Sequence, residues 1–217
     1  MLWFESNGPH RHRRVALPDS TLSTARRALR AELRARRRAV PPGERTAAAH
    51  RAARNADRAL RLAAGKRIAV YSALPFELDA APLIALAQRR GCSIYLPRID
   101  RRRTSFGMRF VALGGELREN HLGIGEPVGA QVLAARWLDL VFLPLVGFDA
   151  GGVRLGTGGG FYDRALAFRQ LRRVWHKPHL VGFGYAFQQL ERLAAAPHDV
   201  LLDAVVTDGG FIRCTTG

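Results

Sequence analysis

The sequence predicts an α/β fold, a single three-layer domain with a mainly parallel central sheet and helices on both faces. Three observations carry that prediction. Short apolar runs rich in Val and Ile alternate with Ala/Arg/Leu segments of helical period along most of the chain, and that alternation builds parallel sheets. Several strand candidates are apolar nearly throughout rather than at every second residue, as strands covered on both faces are. Hydrophobic residues make up 47% and charged residues 24% of 217 residues, the balance of a globular chain of one-domain size.

Each element follows from its local pattern. Residues 1–20 hold Gly8, Pro9, Pro18, three Arg and two His without periodicity, as a flexible extension does. A domain is expected over 21–208 and a C-terminal tail over 209–217. From Thr21 to Val40 the period is helical, with Leu22, Leu29 and Leu33 on one face. Ser23 or Thr24 can cap this helix and Pro41-Pro42 stops it. A second Ala/Arg-rich helix is expected over 43–64, ended by Gly65. Residues 67–74 (RIAVYSAL) are a buried-strand candidate. Asp79 can cap a helix over 80–90, with Gly91 as its stop. Residues 93–97 and 106–113 read as strands and 114–130 as a Gly-rich loop. Residues 138–145 (LDLVFLPL) are the most apolar strand candidate. Helices over 161–174 and 187–195 and strands over 179–185 and 203–208 complete the pattern. Ligands of such sheets sit at the carboxyl ends of strands, which points to the loops after Ala73, Pro97, Leu145 and Tyr185.

Composition narrows the function class. No apolar run approaches the roughly 18 residues needed to span a bilayer, and the first residues place their charge after their few apolar side chains, against a secretory signal. Two cysteines, Cys92 and Cys214, make neither a disulfide framework nor a Cys-rich metal site, so a cytoplasmic protein is expected. The formal charge is +16, and among 34 basic residues only Lys66 and Lys177 are lysine. Such a field attracts polyanions. The bland reading is an Arg-rich solvated surface reflecting biased composition.

One segment stands apart. Seven glycines fall between Gly147 and Gly160, after the most apolar strand candidate and before a helix. Glycine lets backbone N–H groups approach an anion closely, and successive N–H groups form an anion nest. Arg154 and Arg164 bracket the loop. Asp163 is either a helix-start carboxylate or a Mg²⁺ ligand. Phe161 and Tyr162 are either core or a stacking surface for a flat heterocycle. No Lys-Ser/Thr follows the glycines, so the loop is not a Walker A motif. A plain flexible connection is the structural alternative.

Residues 148–164, FDAGGVRLGTGGGFYDR, closely resemble the signature of the 5-formyltetrahydrofolate cyclo-ligases, also called methenyltetrahydrofolate synthetases. Further matches occur in the family order: the segment from Arg26 to Arg30, Phe76 to Asp79, YLPRI at 95–99, Met108 to Phe110, Gly123 to Pro127, and His198-Asp199 ahead of Asp203 to Thr207. The resemblance implies an enzyme that uses ATP and Mg²⁺ to cyclise 5-formyltetrahydrofolate to 5,10-methenyltetrahydrofolate through a phosphorylated formyl intermediate, giving ADP and phosphate. Carried over residue by residue, it implies ATP binding by Arg26, Arg30, Arg154, Leu155, Gly156, Thr157, Gly158, Gly159, Gly160, Phe161 and Tyr162. It implies folate binding by Ser72, Glu77, Phe161 and Tyr162, catalysis by Arg154, Tyr162 and Asp163, and Mg²⁺ ligation by Asp163 and Asp199. Glu126 is left outside the catalytic set, as a turn residue. Thr157, Gly159 and Phe161 stand where other members carry larger or more polar residues, which places more weight on Arg154 and on backbone N–H groups.

The implied partners are small molecules, with no membrane and no nucleic acid, and a monomer is expected. Two other readings remain: a paralogue that keeps the ATP loop and acts on another substrate, and an Arg-rich RNA-binding protein, against which stands the absence of aromatics interleaved with the Arg helices. Deleting residues 1–20 is expected to leave turnover unchanged. A fall of more than tenfold in kcat/KM, on the order of 1.4 kcal/mol, would place that segment in the site.

Overall fold

The computed structural model describes residues 19–100, 107–114, 116–119, 125–128, 131–171 and 177–215, without the side chains of residues 19–22 and 100. The extension expected over residues 1–20 therefore lies almost wholly outside the described residues, as does the side chain of Leu22.

Helix α1 (Asp19–Ala39) ends just before the Pro41-Pro42 pair, and α2 (Pro42–Leu60) begins on it. Proline suits a helix start, because its missing N–H would have no intrahelical partner there. Five alanines of α2, Ala48, Ala49, Ala52, Ala53 and Ala56, form one buried stripe, and their small size lets the helix lie close to the sheet. The helix stops four residues short of Ala64. Arg61 turns left-handed at φ 48°, Leu62 dives into the core, and the Lys66 ammonium donates to the carbonyls of Leu60 and Arg61 at 2.9 Å each. Gly65, at φ +81°, instead turns the chain into the sheet.

The strands that follow are β1 (Arg67–Ala69), β2 (Ser93–Asp100), β3 (Gly107–Ala112), β4 (Leu117–Glu119), β5 (Gly125–Pro127), β6 (Val132–Leu133) and β7 (Leu140–Pro144). After them come β8 (Gly147–Phe148), β9 (Arg154–Leu155), β10 (His179–Gly184), β11 (Ala204–Thr207) and β12 (Gly210–Arg213). Helix α3 (Ala81–Arg89) lies between β1 and β2, and α4 (Phe161–Leu166) follows β9. Eight strands form one sheet in the order β12-β11-β10-β7-β1-β2-β3-β6. The five central strands are parallel, and the strands flanking them pair antiparallel. The sheet is thus mainly parallel, as expected, with antiparallel margins on both sides.

Alternation of side chains along each strand splits the core in two. Ile68, Val70, Phe142, Val181 and Val206 face α2 and α3. Ala69, Val141, Leu143, Leu180 and Val205 face the opposite layer, where Leu166 of α4 packs. A third cluster joins α1 to the hairpin β8–β9 through Leu33, Val146, Val153 and Leu155. Gly147 lets Leu33 come close there, since a Cβ would sit 2.8 Å from Leu33 Cδ1 and push that methyl aside.

Other expectations also differ from the structure. Ser23 and Thr24, expected as caps, lie inside α1, which begins at Asp19. The strand expected over 67–74 is regular only to Ala69, and the loop expected over 114–130 contains β4 and β5. The helix expected over 187–195 is a single 3₁₀ turn, Ala186–Gln188. Gln188 spends its amide on the carbonyls of Leu145 and Val146, and the Leu190 N–H bonds to Phe148 O at 2.7 Å, so this backbone pairs with β8 and not with itself. The helix expected over 161–174 is α helical only to Leu166, then 3₁₀ over Ala167–Arg169, where Arg169 is drawn to Asp203 at 2.8 Å. The segment expected to be a tail from 209 supplies β12, reached through the turn at Asp208-Gly209. Among the described residues no helix is long and apolar enough to cross a membrane.

Asp149 fixes the turn between β8 and β9. It is buried and accepts from Val153 N at 2.9 Å and from Leu193 N at 2.8 Å. Asp149→Ala strands both donors, at about 1–3 kcal/mol each. A clear fall in thermal midpoint is expected by scanning calorimetry, and an unchanged midpoint would mean that water takes over both bonds.

Candidate active site

A cavity of about 210 Å³ opens where the carboxyl ends of β1, β2 and β7 meet the glycine loop. The loops singled out after Ala73 and after Leu145 reach it; after Pro97 the chain is still strand, and β2 itself contributes Pro97 and Ile99. The loop after Tyr185 does not reach it, although the segment that follows it brings in His198 and Asp199.

The glycine-loop side of the cavity is built on β9. Arg154 projects from this strand almost fully buried, with its Nη2 3.0 Å from Asp163 Oδ1 and its guanidinium carbon 5.6 Å from the Tyr162 ring centre. Its Nε has no hydrogen-bond partner among the described residues, so the group still has a donor to give. The chain then loops through Gly158 at φ +110° and Gly160 at φ +62°, conformations that favour glycine. Arg30 Nε donates to Gly156 O at 2.8 Å and Arg34 Nη2 to Thr157 O at 3.2 Å. Arg164 lies 5.2 Å from the Phe161 ring centre and donates to Gly159 O. Burial and the neighbouring Arg26 cation lower the Arg30 pKa from its ordinary value.

Asp163 does not cap its helix. The cap position is Gly160, and Asp163 Oδ1 instead takes Arg154 and the Val200 N–H, the latter at 3.3 Å. Asp199 forms an ion pair with Arg26 and accepts from Ala196 N at 2.8 Å. Both carboxylates proposed for metal thus reach the cavity, each held by a guanidinium.

The opposite wall carries Glu77, 7% exposed. Its Oε2 accepts from Leu74 N at 3.0 Å, and its Oε1 lies 3.7 Å from Arg37. Burial pushes its carboxyl above the usual range, against the pull of the Leu74 bond and of Arg37. Ser72 Oγ donates to Gly125 O at 2.9 Å, and Glu126 accepts from Ile99 N at 3.2 Å. These two bonds pin the β4–β5 hairpin over the cavity. Tyr71, whose hydroxyl donates to Leu78 O at 2.6 Å, and Tyr162 have pKa values raised above ordinary tyrosine, chiefly by burial.

Most residues singled out from the sequence converge here: Arg26, Arg30, Ser72, Glu77, Arg154, Gly156, Thr157, Gly158, Gly160, Phe161, Tyr162, Asp163 and Asp199 all line the cavity. Two do not. Leu155 is core, packed with Leu33, because alternation along β9 sends it away from Arg154. Gly159 sits under Phe161, whose ring would be 2.6 Å from an added Cβ. The lining also includes Glu126, set aside from the sequence as a turn residue, Met108 and His198, matched to the family without a role, and Tyr71, which the sequence reading missed, as it missed Arg34 and Arg37 beside the cavity. The Arg pair was detectable, since 26, 30, 34 and 37 follow the spacing of one helix face.

Fold and cavity together match one family of ligases. The profile of the 5-formyltetrahydrofolate cyclo-ligase family matches residues 22–208, and the chain belongs to that family. The Escherichia coli K12 5-formyltetrahydrofolate cyclo-ligase is 35% identical over 179 residues, spanning 81% of this chain and 96% of that one. The mouse protein of the same name is 28% identical over 193 residues, spanning 86% and 95%. The Aquifex aeolicus 5,10-methenyltetrahydrofolate synthetase structure superposes with a TM-score of 0.74 at 27% identity, covering 88% of this chain and 94% of that one.

Glu77 makes stability depend on pH. Its folded pKa lies above its unfolded one, so folding favours the protonated acid. That contribution is complete below the unfolded value, about 4.3, and is lost as pH rises through the folded value. Glu77→Gln mimics the protonated acid. The midpoint of the variant relative to the parent is therefore expected to be higher at pH 7.5 than at pH 4. A gap that widens toward acid would mean that folding favours the carboxylate.

Proposed function

We propose that the enzyme converts 5-formyltetrahydrofolate and ATP to 5,10-methenyltetrahydrofolate, ADP and phosphate, with Mg²⁺. The observation that carries this reading is a single cavity with the Arg154 and glycine-loop wall on one side and the buried Glu77 wall on the other. The reaction needs both. A formyl oxygen is a poor leaving group. Transfer of the γ-phosphoryl group to it releases ADP and makes an imidate-like phosphate. N10 then attacks the formyl carbon, loses its proton, and phosphate departs as the five-membered ring closes. The protein's share is to hold the two reactants in line and to offset moving charge.

Arg26, Arg30 and Arg154, with the backbone of residues 156–158 and 160, face the phosphates in this reading. Arg154 is preset by Asp163 and by the Tyr162 ring, so little reorganisation is needed when charge builds on the transferring group. Glu77 takes a polar edge of the pterin, and Phe161 and Tyr162 flank its ring. The donor set also fits Mg²⁺. Among the described residues no cluster of three or more metal-ligating side chains occurs, but Mg²⁺ bound through substrate phosphates needs only one or two carboxylates, and Asp163 and Asp199 would supply them. When bound, the cation offsets phosphate charge.

The experiment is the absorbance of methenyl-folate formed from 5-formyltetrahydrofolate with ATP and Mg²⁺. No product with the folded chain would overturn the reading. Asp163→Asn keeps shape and loses charge. A raised Mg²⁺ requirement and a lowered kcat, partly restored by excess metal, are expected. An unchanged Mg²⁺ titration would remove Asp163 from the metal and leave Asp199 as the candidate.

A further inference from the structure

Helix α1 sends four arginines toward the site, and they do not share one destination. Arg26 goes to Asp199, Arg30 and Arg34 to the carbonyls of Gly156 and Thr157. Arg37, one turn further on, goes instead to the opposite wall, where its Nη1 lies 3.7 Å from Glu77 Oε1. Arg37 is 6% exposed, and its Nε has no hydrogen-bond partner among the described residues. A buried ion pair this loosely bonded is a poor source of stability, because desolvating both charges costs more than imperfect geometry returns. Its placement makes sense through its effect on Glu77.

We infer that Arg37 is a positioning residue, which holds the Glu77 carboxylate ionised and aimed for the folate although it does not itself line the cavity. The inference rests on the reading of Glu77 as the folate-side acid. The groups that face Glu77 are Arg37 and Arg34 from α1, Tyr71 at the end of β1, Tyr162 from α4 and the Leu74 N–H. Both tyrosines stay neutral at physiological pH. Arg34 acts from further off, with its guanidinium committed to Thr157 O. Arg37 is therefore the main charge that opposes the effect of burial. Glu77 cannot supply this itself, since its other oxygen is fixed by Leu74 N. The arrangement also mechanically couples the walls: the helix that clasps the glycine loop is the helix that holds the folate-side acid.

The test compares the full-length enzyme with Arg37→Met, Arg37→Gln, Arg37→Lys and Glu77→Gln, measuring kcat/KM for 5-formyltetrahydrofolate from pH 5 to 9 at saturating ATP. Loss of the charge in Arg37→Met and Arg37→Gln moves the acid limb upward by about one pH unit, a tenfold loss at a fixed pH on that limb. The KM for ATP stays within about twofold. Arg37→Lys brings the limb back toward the parent's. Glu77→Gln has low kcat/KM and no such limb, and adding Arg37→Met to it changes nothing more. Arg37→Gln retains donors in place and carries the test if Arg37→Met does not fold. An unmoved limb in a folded Arg37 variant, or equal rises in the KM of folate and ATP, overturns the role of Arg37 while leaving that of Glu77. Normal folate kcat/KM in Glu77→Gln overturns both.

Discussion

A closed ring of charged and polar bonds holds the site together. Arg154 on β9 grips Asp163 on α4, and Asp163 takes the backbone of Val200. Asp199, next to it, grips Arg26 on α1, and Arg30 on the same helix returns to Gly156, just past β9. Each link is ordinary. Closing the ring makes four separate segments share one geometry, because no member can shift without breaking a bond to charge. The hydrophobic contact of Leu33 with the hairpin, allowed by the bare Cα of Gly147, sets α1 close enough for the ring to close. Polar satisfaction here depends on apolar fit.

The charge of the chain looks different once burial is known. Arg26, Arg30, Arg37 and Arg154 are buried or half-buried and directed, whereas Arg51, Arg54 and Arg58 on α2 are exposed. Exposed pairs such as Arg90 with Asp57 and Lys177 with Asp139 contribute little, because solvent screens them. Composition counts all of these arginines alike. The inward-pointing ones have a visible task, and with Arg34, which donates to Thr157 O, those on α1 recur at intervals that a helix brings to one side.

The parallel core of the sheet was legible because its strands are short, apolar and separated by helical stretches, and the glycine loop because its composition is rare. Less legible was whatever depends on distant partners. Residues 187–195 have helical composition, yet Gln188 and Leu190 bond to the β7–β8 connection and to β8, and no local pattern announces that. The edge strand β12 follows an Asp-Gly-Gly turn that favours a hairpin, a signal overlooked beside a short terminal segment. The side chain of Leu155 lies in the core, away from the cavity, because a motif names consecutive residues while a strand sends alternate ones to opposite faces. Glu77 lines the cavity, but the burial that perturbs it and the arginine that answers it come from tertiary packing.

The bond between Arg26 and Asp199 joins residues 173 positions apart. Loop closure over such a span is slow compared with forming a helix. Within this domain α1 is made before everything it clasps: Arg37 can meet Glu77 early, Arg30 and Arg34 the carbonyls of Gly156 and Thr157 later, and Arg26 meets Asp199 last. The clasp is therefore completed stepwise as synthesis proceeds, and the ring around the site closes only once residue 199 has been made.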